Sequence, residues 1–583
     1  MAQWQTFPIE MNGGLITNIS PLQQGINAPG SGRILKNFEP SIKGGYTKIE
    51  GFIKYNNSIV PPYGEPTIDG EDNDSGLSSI TVSNLSRSPE IGDTFMIGDS
   101  DTTYTIVSLT YDPDNYSADI EITPALSNDL DEGDSLLFLS TTTQWLIRGV
   151  GVFIDRVIVA RNNDLYTTFG GGYKKINTDV RNPSVKTRFA RYNYDGTEKI
   201  IAVDGNNVPA IWDNNIYTAL EDCPADVNGS EFVVNFKNQL FFAKSNLVTF
   251  TSPYSDDDFS PATGSGVISV GSDVTSMSVF RDQLIIFTEN SIFKLVGNTI
   301  SDFALQPITV DIGCINPDTV QEIGGDLIFL APDGLRLLSA TDRIGDFGLA
   351  VISKTIQKTA TDLINSSQSY SSILIRSKSQ YRIFGYNFNL PKGNSKGIIG
   401  VQFAGQGGDA MQWAETKGIK SFVSDSRFHN GIETIVFANE DGYLYQLEDG
   451  NSFDGEDIEA TYATPFMPIT DPRLRKTFYK MFMYLDPEGG LEFETSLIFN
   501  FDEKGIIQPD PIKFNNKAGE VSYYGDPSSR YGITTFGGKL LKVFETQVTG
   551  SGFTVSVQID SKGIDPAFSL DAITLEYAQN ARR

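Results

Sequence analysis

Five stretches of the chain repeat one design. "DRVIVARNNDLYTTFGG", "NQLFFAKSNLVTFTSP", "RDQLIIFTENSIFKLVGN", "GDLIFLAPDGLRLLSA" and "ETIVFANEDGYLYQLEDG" each give a short apolar strand, a polar turn and a second strand. Aligned on the first strand, and with a further unit at Ile200, the anchors are Val157, Ile200, Leu240, Leu284, Leu327 and Ile435. They are spaced by 43, 40, 44, 43 and 108 residues, and "YRIFGYNFNL" at 381–390 divides the last interval. A period of about 40–50 residues carrying strand pairs is that of a β-propeller blade. A lone twisted sheet cannot cover both its faces, whereas blades stacked around an axis cover one another and protect their edges. The spacing predicts about six blades over 145–447. The WD dipeptide occurs once, at Trp212–Asp213, and does not recur from unit to unit, and no SxDxGxTW box occurs. What recurs is the loose form (D/N)xLIxFxxxxxLxxL, a mark of packing and turn geometry.

Helical periodicity is confined to "LAVISKTIQKTATDLINSS" at 349–367, where Val351, Ile352, Ile356, Ala360, Leu363 and Ile364 recur at spacings of three and four. Elsewhere, runs rich in Val, Ile, Phe, Tyr and Thr alternate with Gly, Asn, Asp and Pro, so the chain reads as all-β. Two regions fall outside the period. Residues 65–143 read as about five strands, a small β-barrel or sandwich inserted between "NNSIVPPYG" and "STTTQW", which read as exposed crossings. Residues 471–583 alternate with period two and read as a C-terminal β-sandwich. The expected organisation is an N-terminal segment 1–64, the inserted domain 65–143, the propeller 144–470 and the sandwich 471–583.

Charge and reactive residues narrow the function. The chain of 583 residues has 45 Lys and Arg against 73 Asp and Glu, a net charge of −28. Such a balance argues against a protein that grips nucleic acid through phosphate neutralisation. The 65–143 insertion alone holds 17 acidic residues against the single base Arg87, an acidity that is costly to bury and reads as a solvated outer surface. Cys223 and Cys314 form no CxxC pair and read as buried free thiols. His429 is the single histidine, no GxSxG elbow is present, and one His with two distant Cys cannot make a His-based zinc site. "DGEDNDSG" at 69–76 invites a calcium reading, but Ile80 stands where the loop's twelfth-position Glu would be, and a solvated linker is the simpler reading. "SDDDFSP" at 255–261 reads as an exposed acidic turn, and "RLRK" at 473–476 as a set of junction salt bridges. No catalytic, cofactor-binding or metal residue is assigned. The N-terminal "MAQWQTFPIEMNGG" lacks the basic and apolar regions of a signal peptide, and no apolar run approaches a membrane span, so a soluble, cytoplasmically made product is expected.

Several phrases read in order resemble a known family. "GGLITNISPLQQGINAPGSGRILKNFEPSIKGGYTKIEGFIKY" resembles the opening of the tail nozzle proteins of short-tailed bacteriophages, the tail tubular protein B-like family. Gly13, Gly14, Asn37, Gly44, Gly45 and Gly51 occupy the family's places, with "KIEG" where an "RPG"-like turn would stand. "VTFTSPYSDDDFSP", "DIGCINPDTVQEIGGDLIFLAPDGLRLLS" and "EDGYLYQLEDGNSFDGEDIEATYATP" resemble later phrases of the same family. The resemblance implies a homohexameric ring in the virion tail, below the portal and adaptor and near the tail fibres, whose lumen conducts genomic double-stranded DNA without reading its sequence. It implies no catalytic residue and no cofactor. An acidic lumen would let DNA slide where a basic one would bind it. A carbohydrate-binding or hydrolysing propeller is the alternative, and a scaffold propeller outside any virion a third.

Overall fold

The computed structural model describes residues 4–580 apart from 71–72, 99, 141–145, 340–350, 404–409, 506 and 516–541. The chain divides into two compact units, one of 54–320 with 421–446, the other of 1–53, 321–420 and 447–583. Both are built of antiparallel sheets, and the fold class is all-β with propeller blades, an inserted barrel and a sandwich.

In the first unit, four successive four-stranded meanders occupy 147–175, 188–219, 232–269 and 274–309. The first comprises Ile147–Phe153, Arg156–Arg161, Asp164–Phe169 and Gly172–Lys175, each strand hydrogen-bonded to the next. One of its turns uses Asn162 at φ 53°, a residue that tolerates a left-handed backbone, while another holds Ile154 at φ 53°. Val423–His429, Ile432–Ala438 and Leu444–Leu447 form a further meander. The opening strands pack in series: Val423–His429 on Ile147–Phe153, that strand on Arg188–Tyr192, then Phe232–Phe236 and Val274–Phe280. This is the blade-to-blade stacking of a propeller. Between blades lie apolar layers, as where Phe153 meets Trp212 with ring centroids 5.6 Å apart. Phe241, Phe250 and Val248 likewise share a cluster with Leu284, Ile286 and Leu295.

The insertion is a six-stranded sheet that nearly closes on itself. Its terminal strands Gly64–Asp69 and Leu136–Ser140 approach each other through a bridge between Thr67 and Ser135, and Ile68 N–H donates to Asp134 O at 2.8 Å. Alternation explains where the acid goes. In Ser117–Thr123, Ala118, Ile120 and Ile122 are buried while Asp119 and Glu121 face outward. The barrel has its own core of Tyr63, Ile68, Phe95, Tyr104, Phe138 and their neighbours.

The expected exposed crossing at "NNSIVPPYG" is corrected. Val60 and Tyr63 are fully buried, and Pro62 and Gly64 are buried with them. Tyr63 packs edge-on against Phe138 at 4.8 Å and donates its hydroxyl to Asp93, while Gly64 N–H donates to the Tyr166 hydroxyl at 3.1 Å. Two prolines and a tyrosine look like linker composition, but here Tyr63 fills the barrel core, and the carbonyls of Val60 and Pro62 accept from Arg161 and Asn162 of the first blade. The opposite crossing, 141–145, lies outside the described residues.

In the second unit, Gln321–Ile323, Asp326–Ala331 and Gly334–Leu337 make a three-stranded meander. Ser369–Ile375, Gln380–Tyr386, Lys396–Phe403 and Ala410–Lys417 make a four-stranded one. The latter does not stand alone. Ile34–Lys36 lies parallel to Ala410–Lys417 and antiparallel to Ala460–Ala463, joining them into a nine-stranded sheet that continues through Val555–Ser561, Glu492–Phe499 and Ile512–Asn515. Among the described residues, seven meanders therefore follow one another over 147–447, six ending within their own small sheets and one running on into a larger one. A seven-stranded sheet faces part of this nine-stranded one. It contains the 12-residue strands Lys476–Pro487 and Phe568–Gln579 together with Gln5–Glu10, Phe38–Pro40 and Tyr46–Lys48. Aromatic pairs close the sandwich: Phe493 on Phe568 at 5.7 Å, Phe514 on Phe544 at 4.2 Å and Tyr46 on Tyr462 at 5.1 Å. The N-terminal segment, set apart as 1–64 by the sequence, supplies strands to both sheets of the sandwich.

The helical stretch forms a 3-10 turn, Ile352–Ile356, and a helix, Gln357–Ser366, while 349–350 lie outside the described residues. A second short helix, Pro21–Asn27, was not anticipated. Its signal is the Ser20–Pro21 pair, a capping residue followed by proline in the first turn.

Truncating the seat of the barrel tests this arrangement. Tyr63→Ala is expected to cost about 3 kcal/mol or more, by removing a buried ring and one of the hydrogen bonds to Asp93. Denaturant unfolding of the purified chain checks it, and a midpoint unchanged from wild type would show that the ring is not part of the core.

Candidate functional site

The charged groups of the opening strands are brought together from distant parts of the sequence. In the phrase "GCINPDTV", Asn316 caps a 3-10 turn, Pro317–Thr319, its side chain accepting Asp318 N–H at 3.0 Å. Cys314 is fully buried behind it, its Sγ 3.1 Å from Asn316 O. The turn directs the Asp318 carboxylate between two cations, Lys186 Nζ at 3.0 Å and Arg188 Nε at 3.0 Å. Lys186 also donates to Phe422 O at 2.7 Å and lies 4.3 Å from the centre of the Phe422 ring. Arg188 sits over Phe232 at 4.7 Å. Burial alone would raise the Asp318 carboxyl, but the two cations hold it down to about 2. Burial pushes the Lys186 ammonium below its usual range, with Asp318 opposing.

The same pairing recurs nearby. Arg191 contacts Asp425 and donates through Nε to Val152 O at 2.7 Å, while Asp425 accepts Val152 N–H at 2.7 Å. Arg427 pairs with Glu198. Lys186, Arg188, Arg191 and Arg427 thus meet Asp318, Asp425 and Glu198, and the positive charge carried along the opening strands is largely neutralised from within the fold.

The second unit holds a denser network. Lys378 Nζ lies 2.9 Å from Glu39 and 3.2 Å from Glu50 and also contacts Glu448. Arg382, fully buried, bridges Glu39 and Glu448 at 2.7 Å each, and Gln380 Oε1 accepts from it at 3.0 and 3.2 Å. Burial opposes every charge here. Glu39 and Glu448 nevertheless hold the Lys378 ammonium above the ordinary lysine range, and the two cations hold Glu448 below the usual carboxylate range. Glu50 goes the other way: burial raises it despite the pull of Lys378.

The first unit also contains a cleft of about 780 Å³ between the barrel and the first blade, with Glu65, Asp164, Lys175, Asp179, Tyr116 and Asn163 on its walls.

The residues singled out in the sequence do not converge on one site. His429 ends the strand Val423–His429 and contacts Asn430 Nδ2 at 3.0 Å. Cys223 is half-buried beside the core of the second blade, where burial pushes its thiol up. In the acidic turn 255–261, Asp256 is drawn into the fold, accepting from Tyr192 at 2.8 Å and Lys199 at 3.0 Å, whereas Asp258 accepts Ser260 N–H at 2.8 Å. In "RLRK", Arg473 pairs with Asp471 at 3.0 Å and Arg475 donates to Ser551 Oγ at 2.9 Å. Lys476 is fully buried and donates to the carbonyls of Pro468, Asp471 and Phe553. Among the described residues, Arg473 alone of this set forms a salt bridge. In the candidate calcium loop, Glu71 and Asp72 lie outside the described residues, and Ser75 N–H donates to Asp129 at 2.8 Å. Among the described residues no three of His, Cys, Asp or Glu are grouped to hold a metal ion, and no helix is long and apolar enough to cross a membrane. Reading the sequence missed both ion networks, because Arg188 and Asp318 are 130 residues apart and Lys378 and Glu39 are 339 apart.

No family model matches the chain, and no curated protein does. Among solved structures, an ancestral GH74 enzyme is similar at 9% identity and TM-score 0.40, with 72% of each chain covered. PorZ, a component of the type-IX secretion system of Porphyromonas gingivalis, is similar at 12% identity and TM-score 0.33 over 57% of this chain. The match spans 43% of PorZ's length. A chain of a mitotic checkpoint complex is similar at 13% identity and TM-score 0.32, over 53% of this chain and 92% of that one. Likenesses this distant carry no argument, and the class, an all-β protein with propeller blades, rests on the sheet topology itself.

Asp318 gives a measurable consequence. Its carboxyl lies below the ordinary value of 3.8 in the folded chain, so its contribution is complete above that value and is lost as pH falls from about 4 to about 2. The shift corresponds to roughly 2 kcal/mol. Asp318→Asn, which removes the carboxylate shared by the buried Lys186 and the half-buried Arg188, is expected to cost about 3 kcal/mol at neutral pH, and its stability should converge on wild type through that acid window. Urea unfolding of both chains across pH checks this. A difference that persists unchanged at the acid end would show that the ion contacts are not its source.

Proposed function

We propose that this chain is a structural subunit of a short-tailed phage tail nozzle, assembling as a homohexameric ring that prolongs the DNA channel below the portal and adaptor, beside the tail fibres. The observation that carries the reading is what the resembling residues do: they close the fold. Asn37, at φ 54°, donates through Nδ2 to Lys417 O and Glu459 O at 2.9 Å each and accepts Lys417 N–H at 2.8 Å, stitching the N-terminal segment to two later strands. A Cβ on Gly14, which has φ 63°, would stand 2.7 Å from Trp413 N, and one on Gly51 would stand 1.9 Å from Ser452 O. The later phrases supply Asp318 and Glu448, the acids of the two ion networks. A family likeness made of stitching positions fits a protein whose work is to be a rigid part.

Ring symmetry supplies the rest of the argument. In a six-fold ring each inward carboxylate occurs six times, so modest acidity per chain becomes a strong local field. The blades' apolar hairpins face one another, so channel contact falls to turn residues and the C-terminal sandwich, and a wall of Asp, Glu, Ser, Thr and Asn with few Lys or Arg repels duplex DNA and lets it pass. Electron microscopy of the purified chain is expected to show six-fold rings with an open axis, and a uniformly monomeric particle would overturn the reading. The assembled ring should bind short duplexes weakly, with little change between about 50 and 200 mM salt. Tight binding with a steep salt slope would instead mean a basic lumen. The alternative, a glycan-hydrolysing propeller, requires a pair of carboxyl groups flanking a bound sugar with one able to act as acid. Turnover of polysaccharide by the purified chain, abolished by one Asp or Glu substitution, would favour it.

A further inference from the structure

The cleft between the barrel and the first blade has the size and lining of a ligand site, and none of the ion networks above explains it. Its volume of about 780 Å³ falls within the usual range of small-molecule sites, about 300–1,000 Å³. One wall is apolar and exposed: Tyr116 is 43% exposed, Leu137 44% and Val180 56%. Tyr116 is held at φ 51°, a conformation that costs an aromatic residue energy, at the tip of a barrel hairpin. Its carbonyl accepts Leu85 N–H at 2.9 Å, so the strained backbone is locked.

The polar wall separates into spent and unspent groups. Asp164 is engaged by Lys175 at 2.7 Å and by the Tyr166 hydroxyl at 3.1 Å. Asp179 is engaged by Tyr217 and by Arg181 at 3.3 Å. These carboxylates are fixed acceptors, held in place by their partners. The Asn84 amide donates within the barrel, to Thr67 Oγ1 at 2.8 Å, and the Asn163 amide donates from blade to barrel, to Ser86 O at 3.4 Å, and neither side-chain oxygen accepts a hydrogen bond from a described residue. The outer edge of the blade is closed to an added peptide strand at this point, because Lys175 N–H already donates to Glu65 at 2.8 Å.

We infer that this cleft binds a neutral, hydroxyl-rich ligand, a glycan segment, without cleaving it. The Tyr116 ring offers an apolar face to the C–H side of a pyranose, while Asn84, Asn163 and the fixed carboxylates accept its hydroxyls. Three carboxylates against one lysine disfavour uronates, sulfated sugars and phosphates. The inference is independent of the nozzle reading, since it requires only the barrel and the first blade.

The test is calorimetric titration of the full chain with neutral di- to hexasaccharides, with uronate oligomers and with oligolysine. Tyr116→Ala and Tyr116→Phe are titrated alongside, and the melting temperatures of all three proteins are compared. At least one neutral series is expected to bind, with affinity falling about tenfold or more in Tyr116→Ala and kept in Tyr116→Phe. Uronate oligomers should bind more weakly. Because Tyr116 is an exposed hairpin residue, both variants should melt as wild type does. Failure of every neutral oligosaccharide to bind would overturn the inference, as would binding unchanged in Tyr116→Ala. Oligolysine binding tighter than any glycan would replace it with a cation site.

Discussion

Strands buried on both faces govern this molecule. Asp326–Ala331 and Gln380–Tyr386 have every residue buried, so each needs an apolar neighbour above and below as well as a hydrogen-bonded strand on either side. A sheet of three or four short strands cannot provide that alone. Stacking blade on blade does, and the series of opening strands is the result. The clusters that join Phe153 to Trp212, or Phe250 to Leu284, lie between meanders, which makes each blade's stability conditional on its neighbour.

Against this apolar background, the placement of charge is a matter of specificity more than of strength. A buried ion pair loses in desolvation much of what it gains in attraction, so Lys186, Arg188 and Asp318 are weak grounds for stability as an intact set. Removing one member is another matter, since the remaining charge is stranded. Such sets tie particular strands together and penalise other pairings. The Glu39, Glu448, Lys378 and Arg382 network does this within the second unit, holding a strand of the N-terminal segment to the hairpin at 369–386 and to the residue after Leu447. The strands Ile34–Lys36, Phe38–Pro40 and Tyr46–Lys48 of the N-terminal segment need such ties because each is only three residues long.

The barrel shows how a strongly acidic insertion is accommodated. Period-two alternation sends Asp119 and Glu121 to water while Ala118, Ile120 and Ile122 fill the core, so the acidity costs little. Its seat on the first blade is made by backbone groups, the carbonyls of Val60 and Pro62 and the N–H of Gly64, beside the buried Tyr63. The cleft beside that seat exists because a round barrel and a twisted blade cannot match along their whole edge.

What the sequence alone determined was everything carried by local period and turn chemistry. The repeat of strand, polar turn and strand near Leu240, Leu284 and Leu327 specified meanders. Alternation in 65–143 specified a separate small β-domain, and the mid-chain spacing of Ile356, Ala360 and Leu363 specified the helix. These are short-range facts, because a side chain's face depends on its immediate neighbours in the chain. The tertiary structure alone decided which strands share a sheet. It placed Ile34–Lys36 between strands some 380 and 430 residues away, turned "IVPPYG" from a linker into a buried seat, and made Lys476 a caged residue instead of a surface cation. It also joined Arg188 to Asp318 and Lys378 to Glu39, and put Tyr116 opposite Asn163. Each of these pairings is an encounter between distant segments, and no local pattern encodes a partner that chain topology has yet to deliver.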